Sequence, residues 1–318
     1  MLSIQEVEDA ARVVYAAMPP TAQYAWPLLA RRTGCEVWVK HENHTPIGAF
    51  KVRGGLVYMD QLKHTQPGLE GVVSATRGNH GQSIAVGAAK VGIAATIVVP
   101  QGNSVEKNAA MRAFGAELVE AGHDFDAARE AAMRLAGERG LAMIPSFHRD
   151  LVRGVATYAL ELFRGTPALD TVYVPIGLGS GICGVIAMRD ALSPATKVVG
   201  VVSTEAPAYA LSFAARKVVP TNSANTMADG MAVRGPDAEA LAVILKGADR
   251  IVQVSDAEIA QAMRAYYEDT HQLTEGAGAA PLAALMQERE RMAGRRVALV
   301  LSGGNIDRPL YLRTLEGD

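Results

Sequence analysis

An α/β fold built on parallel sheets is the class this sequence predicts, on three observations. Apolar runs of strand length carry no polar alternation, which is how strands covered on both faces read. Segments with helical spacing fall between those runs. The glycines, 31 in 318 residues, cluster mostly in a few motif loops.

In chain order, residues 4–18 have helical spacing of apolar side chains, and Pro19-Pro20 stops the pattern. Residues 36–40 (EVWVK) read as a short strand; a loop around Lys51 and a helix over 52–62 follow. Strands are expected at 71–74, 94–99, 117–119 and 142–144, with helices at 81–90, 105–114 and 124–139 between them. Further apolar strands lie at 171–174, 197–202 and 297–301. No low-complexity linker or repeat divides the chain.

This length buries a large core, as one large domain or two smaller ones. The composition, 49% hydrophobic and 20% charged, is that of a soluble globular enzyme. A net charge of -2 gives no electrostatic case for nucleic acid or an anionic membrane. The longest apolar runs, such as 93–100 and 296–301, are too short to span a bilayer. The first residues, MLSIQEVEDAARVV, are acidic and helical in pattern, unlike a signal peptide. Two cysteines, Cys35 and Cys183, exclude a disulfide framework, suggest no metal site and fit a reducing cytoplasm.

Several segments carry candidate chemistry. Lys51 lies in GAFKVRGG (48–55), downstream of HENHTP. Such a lysine is either a solvated surface residue or a buried amine, whose lowered pKa makes it nucleophilic toward an aldehyde. A strand at 172–175 runs into GLGSGICG (177–184) and a helix that continues through Arg189. That order makes an anion site from free N–H groups and the helix dipole, or else a tight packing turn. It follows neither the dinucleotide fingerprint nor the lysine-bearing NTPase loop. TRGNHGQ (76–82) stands between a strand and a helix, where backbone N–H groups suit a carboxylate. LSGGN (301–305) follows a buried strand. In TEGAGAA (274–280), Glu275 either caps a helix or lies near a site.

Together these segments, with TMADGMAV at 226–233, resemble the fold-type II pyridoxal-phosphate enzymes over residues 42–305, specifically the serine/threonine dehydratase and serine racemase group. The resemblance implies two open, twisted, mostly parallel sheets with flanking helices, as in the tryptophan synthase β subunit. It implies a large cofactor-binding domain from 1–52 and 148–318, and a small inserted domain at 53–147, with no regulatory domain after the last motif. Lys51 would hold pyridoxal 5'-phosphate as a Schiff base and do the proton chemistry. Phe50 would pack beside the ring, unless it is simply core. Gly177, Leu178, Gly179, Ser180 and Gly181 would hold the phosphate, and Ser302 the pyridine nitrogen. Asn79 would contact the phenolic oxygen, its alternative being a turn residue with positive φ. Thr76, Arg77, Gly78, Asn79 and His80 form the expected substrate loop, with His80 orienting rather than catalytic.

Three departures qualify the match. Leu178 and Ser180 interrupt what is usually a run of four glycines. Arg77 replaces the serine that acts as second base in racemases; arginine stays protonated and cannot do so. It either binds a substrate carboxylate or turns outward to a surface acid. Val202 and Ala208 occupy the positions of a cation site, so no divalent ion is expected there, although Glu205 is nearby. The expected function is a dehydratase (ammonia-lyase) that removes water from a β-hydroxy-α-amino acid of threonine/serine, 3-hydroxyaspartate or phenylserine type. A neutral Ser302 leaves the ring nitrogen largely unprotonated, which favours expulsion of a β-substituent. The alternatives are a racemase, a β-replacement synthase, or a pyridoxal-phosphate-binding protein without turnover. A cytoplasmic homodimer or homotetramer is expected.

Overall fold

The structure is a computed structural model that describes residues 2–317; Met1 and Asp318, the ends of the expected large domain, lie outside the described residues. Helix α1 (Ile4–Tyr15) opens on a capping box between Ser3 and Glu6. It ends at Tyr15, short of the expected residue 18, because Met18 closes a turn onto Val14 ahead of the prolines. Strand β1 (Gln23–Ala25), helix α2 (Pro27–Thr33) and strand β2 (Glu36–His41) follow.

The next stretch alternates: α3 (Lys51–Thr65), β3 (Gly71–Ala75), α4 (Asn79–Val91), β4 (Ala94–Val99), α5 (Val105–Ala113), β5 (Glu117–Glu120), α6 (Phe125–Arg139) and β6 (Ala142–Met143). Beyond it come α7 (Arg149–Gly165), β7 (Thr171–Pro175), α8 (Ser180–Leu192), β8 (Lys197–Ser203), α9 (Ala208–Ala215) and α10 (Ala238–Gly247). The chain closes with β9 (Arg250–Val254), α11 (Asp256–Thr270), α12 (Gly276–Gln287), α13 (Arg289–Met292), β10 (Arg296–Leu301) and α14 (Arg308–Glu316).

Two sheets result. One has the order β1-β2-β10-β7-β8-β9, antiparallel only at β1. The other, β5-β4-β3-β6, is wholly parallel, and its strands lie within residues 53–147. Both faces of the larger sheet are covered, which explains the missing polar alternation. Val297, Leu299 and Leu301 of β10 join the core containing α11 and α12, while Ala298 and Val300 join the core containing α7 and α8.

Glycines let the helices beside these sheets approach closely. A Cβ on Gly154 of α7 would lie 2.2 Å from the Arg53 carbonyl of α3, and one on Gly55 of α3 would lie 2.2 Å from Ser83 Oγ of α4. Helices α3, α4 and α7 therefore touch nearly backbone to backbone, and α3 starts at Lys51.

Candidate active site

Three neighbouring parallel strands end on the same side. The chain leaving β2 leads to Lys51, the chain leaving β7 enters the 177–181 turn, and Ser302 directly follows β10. Residues 48–50 are strapped to residues 302–304: Phe50 N–H donates to the Ser302 carbonyl (3.0 Å), Gly304 N–H donates to the Gly48 carbonyl (2.9 Å), and Ala49 bridges Gly303. The start of α3 thus has a fixed position next to Ser302.

The Lys51 amine lies 3.3 Å from Ser180 Oγ and 5.2 Å from the centre of the Phe50 ring. It has no carboxylate partner among the described residues. Burial pushes its pKa down to about 8, so about a tenth is free amine at pH 7, far more than for an ordinary lysine. It is therefore not a solvated surface lysine.

The 177–181 turn needs its glycines. Gly179 adopts φ 101 at the N-cap of α8, and a Cβ on Gly177 would meet the Gly230 carbonyl at 2.3 Å. Tyr209 donates to the Leu178 carbonyl (2.9 Å) and Tyr158 to the Gly181 carbonyl (3.0 Å), which pins the backbone on both sides. The first-turn N–H groups of α8 have no helical acceptor, and these residues line the cleft. Phe50 meets Tyr158 edge-on at 6.1 Å.

The loop between β3 and α4 is organised by Thr76. Its hydroxyl accepts from Gly78 N–H (2.9 Å) and Gly81 N–H (3.2 Å). The N–H groups of Arg77, Asn79 and His80 find no acceptor among the described residues. Asn79 is the first residue of α4 and does not have a positive φ. Its Nδ2 donates to Glu275 Oε1 (2.8 Å), and its Oδ1 accepts from Asn305 Nδ2 (2.8 Å). His80 is buried, with Nε2 unpartnered; burial and then Lys51 hold its pKa down to about 3 despite a bond to the Pro145 carbonyl. Its ring is neutral at working pH, which favours orientation over proton donation. Arg77 is exposed and lines the cleft with no acid within ion-pair distance, so it does not turn outward to a surface carboxylate.

Glu275 occupies the N-cap position of α12, but its side chain makes no cap bond. It points into the cleft instead. Burial pushes its pKa up to about 7, against the pull of Lys107. Sequence reasoning missed Lys107, which reaches Asp229 (2.5 Å) and Glu275 (3.5 Å) across the cleft. It also missed Asn305 as the partner of Asn79, although LSGGN contained it. Nothing local could have marked Lys107, whose partners lie 122 and 168 residues away.

These groups share one cleft of about 930 Å³ between the loops of the two sheets. At the positions of the expected cation site, Val202 and Ala208 are buried and apolar, while Glu205 is exposed and lies next to Thr204.

The family profile described as "Pyridoxal-phosphate dependent enzyme" matches residues 16–303. The L-threonine ammonia-lyase of Thermotoga maritima is 33% identical over 96% of this chain and 76% of its own. The L-threo-3-hydroxyaspartate ammonia-lyase of Saccharomyces cerevisiae is 30% identical over 98% and 96%. Among solved structures, the processed threonine deaminase isoform 2 of Solanum lycopersicum superposes with TM-score 0.89 at 27% identity, covering 99% of this chain and 94% of that one. Maize serine racemase superposes with TM-score 0.92 at 26% identity, covering 99% and 97%. The chain belongs to the pyridoxal-phosphate-dependent enzymes. Within them it is a fold-type II enzyme of the dehydratase, or ammonia-lyase, kind.

The cleft fits that cofactor. A buried amine of lowered pKa suits an aldehyde, the unpaired first-turn N–H groups of α8 in the glycine turn suit a phosphate, and Phe50, Asn79 and Ser302 offer an apolar face, a donor and a neutral hydroxyl for the ring.

Proposed function

We propose that the protein removes water from a β-hydroxy-α-amino acid and releases a 2-oxo acid and ammonia. The observation that carries this reading is the buried Lys51 amine, its pKa lowered to about 8, beside the 177–181 turn. Bound pyridoxal phosphate supplies an electron sink that acidifies the substrate Cα–H. The rest is the work of the chain. The free N–H groups of Arg77, Asn79 and His80 at the start of α4 hold the α-carboxylate, so the substrate is oriented before reaction. Lys51 Nζ, uncovered when the substrate amine takes its place, accepts the Cα proton as general base. Phe50, held edge-on against Tyr158, gives that nitrogen an apolar neighbour. The neutral Ser302 favours loss of the β-hydroxyl over reprotonation at Cα.

The substrate side chain extends toward Arg77 and Arg129, two guanidiniums on the cleft without an acidic partner among the described residues. Their neighbours are already paired, Lys107 with Asp229 and Arg234 with Asp126. This favours a substrate with a second carboxylate, and a 3-hydroxyaspartate-type acid is the substrate in the name of the yeast relative. Arg77 provides no second base, which speaks against racemisation. The amino acid is the partner we assign, acted on by a cytoplasmic homo-oligomer, a dimer or tetramer. No described helix is long and apolar enough to cross a membrane, and both cysteines are free and buried.

The test is ammonia and 2-oxo acid release from threonine, serine, 3-hydroxyaspartate and phenylserine in both β configurations. We expect kcat/KM to be highest for a 3-hydroxyaspartate, and Arg77→Gln to lower that preference over threonine about tenfold or more. Racemised substrate without ammonia would overturn the reading.

A further inference from the structure

We propose that Lys107 is a positioning residue, carried across the cleft to fix the amide of Asn79 through Glu275. The proposal rests on the cofactor-cleft reading above. Lys107 belongs to the first turn of α5, beside the four-stranded sheet, yet its amine is received by Asp229 and Glu275 beside the six-stranded one. The side chain is only 6% exposed, so its path is buried. It runs under the substrate loop at Gly78, where a Cβ would lie 2.4 Å from Lys107 Cδ. Any larger residue at 78 would block it.

Glu275 passes the effect on. Its Oε1 accepts one N–H of Asn79, while Asn305 Nδ2, itself anchored on the Ile47 carbonyl (2.7 Å), donates to Asn79 Oδ1. With both ends of the amide gripped, the second N–H of Asn79 is left for the cleft. Lys107 pulls Glu275 toward its ionised form, which only accepts. The charged groups facing Glu275 are Lys107 from α5 and Asp229 from the turn ahead of α10; Asn79 faces it from α4, and the Gly303 backbone brings no charge. Without the ammonium, burial and Asp229 both favour the protonated acid. Its O–H would then compete with Asn305 for Asn79 Oδ1, and the amide would lose its single setting. Because the ammonium comes from one side of the cleft and is received on the other, the setting exists only when both sides are together.

The test uses holoenzymes of Lys107→Met, Lys107→Arg and Glu275→Gln, read by kcat, KM, their pH profiles, and the visible absorbance of bound cofactor. We expect Lys107→Met to bind pyridoxal phosphate with its visible band, to lose kcat tenfold or more, and to keep KM within about threefold. The acid limb of its kcat profile should move up by at least one pH unit, because Glu275 now takes its proton at higher pH. Lys107→Arg should restore the limb toward wild type. Glu275→Gln, which cannot titrate, should leave only the limb set by Lys51, and adding Lys107→Met to it should neither move that limb nor cost much more. A Lys107→Met limb superposable on wild type, or a loss confined to KM, overturns the proposal. If Lys107→Met does not fold, a Glu275→Gln limb superposable on wild type overturns it equally. A wild-type protein with no cofactor band would instead overturn the cofactor reading on which it rests.

Discussion

Lys51 shows at the scale of one residue how burial serves reactivity. The same desolvation that frees the amine costs stability whenever that amine is charged. Its value in the folded protein, about 8, lies below the ordinary 10.5. The unfolded chain therefore binds the proton more readily, and stability falls as pH drops from about 10.5 toward 8. Below 8 the full cost is present. Replacing the lysine by methionine in cofactor-stripped protein should raise stability near pH 7 by about 1–3 kcal/mol after allowance for solvent screening. The gain should vanish above pH 10.5. Paired denaturant titrations at pH 7 and pH 10.5 would measure it, and equal effects at both would show that the amine is not desolvated. Lys51→Ala in the loaded enzyme should abolish both turnover and the visible absorbance of the bound cofactor.

At the scale of elements, α3 is placed by its contacts with α4 and α7. Ser83 Oγ of α4 donates to the Lys51 carbonyl at 2.5 Å, and a Cβ on Gly55 would strike both that hydroxyl and the Ser83 carbonyl, the latter at 2.4 Å. Gly55→Ala should push the helices apart and destabilise the protein by about 1–3 kcal/mol. It should also lower kcat, because the start of α3 moves with the helix; calorimetry and steady-state kinetics check both effects. An unchanged unfolding midpoint would show that the contact is soft. Elements near these glycines were also the readable ones. The strands and turns flanking Lys51, Asn79 and Gly179 stood out because apolar runs end there in Gly, Asn or Ser, a local signal. The β9–α11 segment and α14 lie outside any motif, and α7 was passed over despite its apolar face. The start of α12 was legible only as a possible cap at Glu275, because Gly276, Gly278 and the interior Pro281 weaken the helical pattern of a helix that is buried throughout its first ten residues. Glu275 was visible as a candidate, but its side chain turning from cap to cleft depends on Asn79 and Lys107, which only the fold brings near.

Across the whole molecule, a buried ionic cluster ties distant segments behind the cleft. Arg53 of α3, fully buried, donates to Glu42 after β2 and to Glu161 of α7, and Lys40 of β2 donates to Glu161 at 2.5 Å. Burial works against the charge on Glu161, but Arg53 and Lys40 outweigh it and hold its carboxyl below the usual range. A lowered folded pKa means stability that is present above the unfolded value and is lost as pH falls through the folded one. The cluster should therefore contribute to acid unfolding below about pH 4. Arg53→Met leaves two carboxylates with one lysine and should cost about 3–5 kcal/mol at pH 7. Its penalty should shrink in acid, which urea titrations at pH 7 and pH 4 would detect; a constant penalty would assign the effect to packing alone. The order of strands in the larger sheet has a different consequence. Although last in sequence among the described strands, β10 inserts between β2 and β7, so the wall that carries Ser302 is made after the other strands of its sheet and stands at the middle of it. On the ribosome, Lys51 and the glycine turn emerge long before the strand that joins them. Assembly of the pocket, and any capture of the vitamin B6 coenzyme, must wait until residues 296–302 have been made.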